Sequence, residues 1–334
     1  MKAMVLNKTG PVQESPLKLT EVLLPEPSDR EIRIQVRTCG VCHTDLHIVE
    51  GELPLPKLPL TPGHQIVGVV EGVGGGVRQF VGGERVGVSW LNWACGECEF
   101  CQQGMENLCE EARFTGYHRD GGYAQFAVVP ASFAYALPEG FSDSEAAPLL
   151  CGGVIGLRAL RLTGAREGQR IGLFGFGASA HIVLQVARHW GCEVFVFSRS
   201  EEHRRLALEL GATWAGQVGN EVPQGLHAAI VFAPVGWMVP EALKVTRKGG
   251  SVVCAGIHMS PIPEMDYALL YHERTLRSVA NSTREDAREL LQVAAEIPVR
   301  TEVEVFPLDQ ANEALQSLKA GRIKGAAVLR IPAE

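Results

Sequence analysis

The sequence predicts an α/β protein of two domains, a β-rich one and one built on a doubly wound parallel sheet. Three observations carry the prediction. The chain has 334 residues, about two domains' worth at roughly 100–200 residues each. Before residue 140 it is rich in Gly, Pro and short β-type runs. From Cys151 onward, apolar strands alternate with helical patterns.

The β-type runs of the first part are Glu31–Arg37, Ile66–Glu71, Arg85–Val88 and Tyr123–Val129. Short alternating or apolar strands bounded by Gly and Pro read as an irregular barrel or sandwich. In the second part a helix over Gly153–Leu162 leads to a strand at Arg170–Phe174. After it come Gly175–Ala180 and an apolar-periodic helix ending near Trp190. Further strands are expected at Glu193–Ser198, Ala228–Ala233, Ser251–Ile257 and Thr275–Ala280. Ser200 is an N-cap for Glu201–Leu210, with Gly211 as the C′ glycine. Buried strands alternating with helices imply a parallel sheet covered on both faces. The tail reads as a helix (Arg284–Ala295), a strand (Glu302–Leu308), a helix opened by Asp309 and a strand (Gly325–Ile331). Its pattern is compatible with extending the parallel sheet or with returning to the first domain.

Composition is that of an ordinary globular protein, 46% hydrophobic and 21% charged, with a net charge of −7. The acidic balance disfavours nucleic-acid binding, which needs clustered Lys and Arg. No run of about 18 apolar residues is found, so a transmembrane helix is not expected, and the N-terminus is polar too soon for a signal peptide. A soluble, cytoplasmic protein is expected. The nine cysteines are odd in number and no export signal accompanies them, which fits reduced thiols better than disulfides.

Cys95, Cys98, Cys101 and Cys109 are the strongest local signal. Tetrahedral zinc takes four soft ligands at about 2.3 Å, and closely spaced thiolates turn their sulfurs to one point. The site would be closed and structural; free thiols or an iron–sulfur cluster are the alternatives. Cys39-Gly-Val-Cys42 is ambiguous. It could be a redox pair, or Cys42 could join His64 and Cys151 in a three-ligand zinc site with an open fourth position, or these residues could simply pack. Gly175-Phe176-Gly177-Ala178-Ser179-Ala180 follows a strand and opens a helix, the context of a dinucleotide turn. The first glycine makes the turn, the second lets backbone approach a pyrophosphate, and Ala180 allows close packing. The next strand ends in Ser198-Arg199-Ser200, without the carboxylate that would hold an NAD ribose. Arg199 then pairs with the 2′-phosphate of NADP, or merely starts a solvated helix.

These residues together closely resemble the zinc-dependent alcohol dehydrogenases of the medium-chain dehydrogenase/reductase family, over nearly the whole chain. Gly40–Asp45, Gly63-His64, the four-cysteine loop and Ala147–Cys151 occur in the family's order and intervals, and Trp90-Leu-Asn92 matches ethanol-active microbial members. The resemblance implies a GroES-like catalytic domain (1–150 and 284–334) and a Rossmann dinucleotide-binding domain (151–283), with the active site in the cleft between them. It implies two Zn²⁺ per chain. Cys42, His64 and Cys151 would hold the catalytic ion, without Cys39, and the four-cysteine loop the structural one.

Thr44 and His47 would relay the alcohol proton, with Asp45 orienting the zinc shell or capping the helix. His43, Thr44, His47, Gly175, Phe176, Gly177, Ala178, Ser198, Arg199, Arg204, Gly256 and Ile257 are the expected cofactor-binding residues. NADP(H) is favoured over NAD(H), substrates are small alcohols or aldehydes, and a homodimer or homotetramer is expected. The chain also departs from the family. Gln65 stands where many members carry glutamate, Ala326 where some carry a phosphate-binding arginine, and His43 where some carry arginine. Leu53 replaces a tryptophan of ethanol-specific members. That widens a pocket still walled by Trp90 and suggests alcohols larger than ethanol. The alternative functions are a zinc-free quinone reductase of the same fold and a zinc-ribbon binding protein.

Overall fold

In the computed structural model, residues 1–222, 225–297 and 299–332 are described. They divide into two compact units. One comprises Met1–Cys151, Thr283–Ala295 and Thr301–Glu334, and the other Gly152–Ser282 and Glu296–Arg300.

In the first unit a seven-stranded sheet is centred on the long strand Glu31–Val41. Alternate residues of that strand are buried, as expected where one face meets a core. Gln65–Val73, Arg85–Val88 and Ala134–Ala136 follow on one side, and Phe126–Pro130 pairs with the first half of the central strand. On the other side the chain's last strand, Ala326–Arg330, pairs antiparallel with the central strand and parallel with Val303–Pro307. The tail thus returns to the first unit's sheet. A core including Ile32, Ile34, Ile66, Val86, Leu315 and Leu329 joins residues from both ends of the sequence. Burial of such side chains stabilises by roughly 1.5–3 kcal/mol each.

The second unit is a six-stranded parallel sheet in the order Trp214–Gly216, Glu193–Phe197, Arg170–Phe174, Leu226–Val231, Thr246–Cys254, Thr275–Ser278. Numbered along the chain this is the 3-2-1-4-5-6 order of a Rossmann sheet. The three-residue strand Trp214–Gly216 carries no pattern long enough to announce itself. Ser200 caps Glu201–Glu209 by accepting from His203 N, and Gly211 ends it at φ +95°. The strand expected to reach Ile257 stops at Cys254, which leaves Gly256 and Ile257 in the loop beyond its carboxyl end.

The short segment Glu296–Arg300 groups with the second unit, not with the tail domain expected over 284–334. Gln185 accounts for this: its Nε2 donates to Arg300 O (2.8 Å) and its Oε1 accepts from Arg300 N (2.9 Å). One run, Asp143–Thr163, is long and apolar enough to cross a membrane by length and composition. However, 72% of its apolar window is buried in protein, and the backbone leaves helical angles at Cys151 (φ −136°, ψ −73°). It belongs to the cores of the two units.

Candidate metal and nucleotide sites

Cys42 ends the central strand's run and caps the helix His43–Glu50. Its Sγ accepts from Thr44 N (3.3 Å) and its backbone N–H donates to Asp45 Oδ2 (2.9 Å). This capping box fixes the thiol and the carboxylate together. The other oxygen of Asp45 lies 3.2 Å from His64 Nδ1, and both side chains are fully buried. A carboxylate on Nδ1 turns Nε2 outward as an acceptor, the usual support of a metal-binding imidazole. Gly63, just before it, adopts φ +98°, and a Cβ there would lie 2.3 Å from the Tyr123 ring. Only glycine lets the chain present His64 here.

His64 Nε2 lies 3.4 Å from Cys42 Sγ and 3.3 Å from Cys151 Sγ, and the three ligand atoms fall within 4.8 Å of one another. Zinc at ordinary bond lengths gives S···N edges of about 3.5 Å. The neighbouring Cys151 thiol and burial hold the Cys42 thiol well above its usual range. Burial pushes His64 down, but Asp45 and Cys42 outweigh it and raise the imidazole to about 10. Two crowded thiols and a carboxylate-backed imidazole form a donor set that a divalent cation would satisfy. The donors fit zinc with one position left open.

Thr44 and His47 are buried one helical turn apart on the helix that Cys42 caps. Gly51 ends that helix at φ +77° and brings Glu52 back, so that Glu52 Oε2 meets His47 Nδ1. Glu52 escaped sequence reasoning; its signal was an acid directly after a C-cap glycine. His43 is exposed on the same helix, its ring 6.4 Å from that of His47.

Trp90 meets His64 edge-on at 5.1 Å and stacks on Phe114 at 5.0 Å, with Tyr117 5.7 Å away. The Tyr117 hydroxyl donates to Pro54 O, and half-buried Leu53 packs on the same core. Phe114 and Tyr117 were not anticipated, since nothing in a local pattern pairs them with Trp90. Gln65 is buried against Gly40, and its Nε2 has no partner among the described residues. Ala326 lies in the last strand, where its N–H donates to Glu302 O and its methyl cannot stand in for a guanidinium.

Cys95, Cys98, Cys101 and Cys109 also converge within 4.8 Å. The Cys95–Cys101 and Cys95–Cys109 sulfur separations are 3.9 and 3.6 Å, near the ~3.8 Å edge of a zinc tetrahedron. Backbone N–H groups of Glu97 and Cys98 draw the Cys95 thiol down to about 7, while burial pushes Cys101 up to about 12. Arg284 grips the lobe through Glu106 at 2.5 Å and lies over the Phe133 ring. Cys39 is buried with its Sγ near Gly40 O, and it belongs to neither cluster. All nine cysteines are free thiols.

In the second unit, Gly175 follows its strand at φ +91°, and a Cβ there would crowd Ala233 at 3.0 Å. Phe176 is buried. Gly177 caps the helix Ala178–His189 and has open space where a Cβ would stand. Ala180 is buried beneath. Ser198 lies at the carboxyl end of the next strand, Arg199 is exposed, and Arg204 Nη1 donates to Ser198 O (2.8 Å) and Arg199 O (2.9 Å). With Gly256 and Ile257, these groups all lie at the carboxyl ends of parallel strands, where such sheets bind ligands.

The family described as alcohol dehydrogenase GroES-like domain matches residues 28–139, and that described as zinc-binding dehydrogenase matches residues 180–296. A probable alcohol dehydrogenase, AdhA, of Mycobacterium tuberculosis is 47% identical over 99% of this chain and 97% of its own. An alcohol dehydrogenase of Geobacillus stearothermophilus is 39% identical over 99% and 100%. Among solved structures, a cobalt- and zinc-bound thermostable alcohol dehydrogenase from Pyrobaculum aerophilum superposes with a TM-score of 0.91. It is 25% identical, over 99% of both chains.

Proposed function

Since this chain belongs to the zinc-type alcohol dehydrogenases of the medium-chain dehydrogenase/reductase family, and is thereby an NAD(P)-dependent alcohol oxidoreductase, we propose that it is a zinc-dependent, NADP(H)-preferring enzyme. It interconverts primary or secondary alcohols with aldehydes or ketones. The observation that carries the reading is the convergence of Cys42, His64 and Cys151 with Asp45 behind the imidazole.

Cys42, His64 and Cys151 would hold a zinc, which would supply Lewis acidity to make the alcohol's hydroxyl proton easier to lose. The Gly175–Ala178 turn would hold the dinucleotide, which would supply a nicotinamide for hydride transfer. Thr44 accepts the hydroxyl proton in hydrogen bonding, and His47 takes it onward. Glu52 accepts from His47 Nδ1 and so sets the tautomer, and at 43% side-chain exposure it opens that end of the relay to water. Trp90 and Leu53 bound an apolar space suited to alcohols larger than ethanol, with Phe114 and Tyr117 extending the wall. The four-cysteine loop holds a second, structural zinc, as its closed donor set suggests.

NADP(H) preference rests on Ser198-Arg199-Ser200, where no carboxylate repels a 2′-phosphate and the exposed Arg199 can pair with it. We read the protein as a homodimer or homotetramer. The strand Thr275–Ser278 is the last of its sheet, paired on one side only among the described residues, and Trp237, Ile262, Tyr267 and Tyr271 are exposed in the same unit. Nine cysteines, none of them in a disulfide, suit the cytoplasm.

Metal analysis and a substrate panel test the main reading. Two zincs per chain and alcohol oxidation faster with NADP⁺ than NAD⁺ are expected. One zinc without alcohol turnover would favour a quinone reductase lacking the catalytic zinc, or a zinc-ribbon binder. Arg199→Ala is expected to raise KM for NADP(H) about tenfold or more, the effect of losing a charge-assisted contact, and to leave KM for NAD(H) nearly unchanged. Equal losses for both cofactors would remove Arg199 from the 2′-phosphate site.

A further inference from the structure

His181 is almost fully buried in the helix Ala178–His189 and has no part in the chemistry above. Two of its groups converge on one atom. Its backbone N–H donates to Gly177 O at 3.1 Å, and its ring Nδ1 lies 3.1 Å from the same oxygen. A carbonyl only accepts, so Nδ1 is the protonated nitrogen.

This double grip acts on a whole peptide unit. In a trans peptide the C=O of one residue and the N–H of the next point in opposite directions. Holding Gly177 O back toward the helix body therefore aims the N–H of Ala178 away from it. That N–H is one of the first-turn donors with no partner inside the helix. Gly177 brings no cap side chain, and an ideal Cβ on it would meet nothing within 4 Å, so an anion has room to approach. The grip is itself braced, because Gln185 Nε2 donates to His181 O at 2.9 Å and its amide also clasps the backbone of Arg300. Gly177, His181 and Gln185 are spaced four residues apart and share one helix face.

We propose that His181 is a positioning residue for the dinucleotide: its ring fixes the Gly177–Ala178 peptide plane so that the Ala178 N–H faces the pyrophosphate. The inference rests on the dinucleotide reading of the glycine turn. The pyrophosphate is common to both nicotinamide dinucleotides, so losing the ring hydrogen bond weakens NADPH and NADH alike. This separates His181 from Arg199, whose loss discriminates between them.

The test is binary-complex affinity, read by protein fluorescence with NADPH and with NADH, for the full-length zinc-loaded protein. His181→Leu is expected to raise Kd for both about 3- to 10-fold, the weight of one hydrogen bond, with equal factors and with kcat at saturating cofactor largely kept. His181→Asn presents an amide N–H at the position of Nδ1 and is expected to bring Kd back to within about twofold of the parent. Should the Leu variant not fold, His181→Phe removes the donor at similar volume. Parent-like Kd in the donor-less variant, or an Asn variant as weak as the Leu variant, would overturn the proposal. If the parent protein binds neither dinucleotide, the dinucleotide reading itself is overturned, and the role of His181 with it.

Discussion

Cys42→Ser is expected to lower kcat/KM about 1000-fold or more and to leave one zinc per chain in place of two. A Lewis acid at the reacting oxygen contributes several kcal/mol, and each 1.36 kcal/mol is a factor of ten in rate. Serine is a good choice because it separates two roles of Cys42. As a hydroxyl residue it still caps the helix His43–Glu50, so Thr44, Asp45 and His47 keep their helix. As a neutral oxygen it is a poor substitute for a thiolate on zinc. Melting temperature and the remaining zinc should therefore change little while turnover disappears. A Cys42→Ser protein with full turnover, or with both zincs retained, would refute the assignment of this site.

Cys101→Ser should produce the opposite pattern: a large loss of stability with the active centre's ligands untouched. The loop from Cys95 to Cys109 has almost no core of its own. Its α-helix, Glu99–Gln102, and its 3-10 helix, Glu106–Leu108, are a single turn each, and its apolar support is a small cluster with Leu91, Ala112 and Phe133. Structural zinc sites contribute about 10–16 kcal/mol to the folding of isolated zinc-binding peptides, so losing one ligand of four should free the loop. The largely buried Glu106–Arg284 pair would remain as a side-chain tether, but one ion pair is a weak substitute for a four-ligand metal site. Inactivation at elevated temperature is expected to speed up at least about tenfold, with zinc falling to one per chain. Unchanged heat resistance in Cys101→Ser would show that the loop is held by packing.

Much of the site could be read from the sequence because its chemistry is spelled in short spacings. The four cysteines, the Cys42–His47 run and the glycine turn each bring their own geometry, since a knuckle, a capped helix turn or a strand-to-helix turn forms from neighbours in the chain. Strand alternation in Glu31–Val41 and apolar runs such as Arg170–Phe174 likewise carry their burial with them. What stayed hidden depends on contact. Phe114 stacks on Trp90 across a loop, and Glu52 returns to His47 only because Gly51 turns the chain. Glu296–Arg300 groups with the second unit, where Arg300 meets the amide of Gln185 and Glu296 meets His189. The strand Trp214–Gly216 has three residues, too few for any period to show. His181 looks like one more position on an apolar-periodic helix until its ring is seen on Gly177 O.

The last strand of the chain, Ala326–Arg330, is bracketed by Val303–Pro307 and Glu31–Val41. That placement sets the order in which a nascent molecule can be completed. While the ribosome is still making the second unit, Glu31–Val41 has an open edge along Thr38–Val41, next to the segment that leads into Cys42. An unpaired strand edge is a template for pairing with another chain, and contacts this distant in sequence form slowly. The second unit, by contrast, has all six of its strands once residue 278 has been made. The second unit can therefore form its sheet during synthesis, while the first unit's sheet must wait for Ala326–Arg330. Truncation before Ala326, or slow translation ahead of it, would strike first at the strand that leads into Cys42.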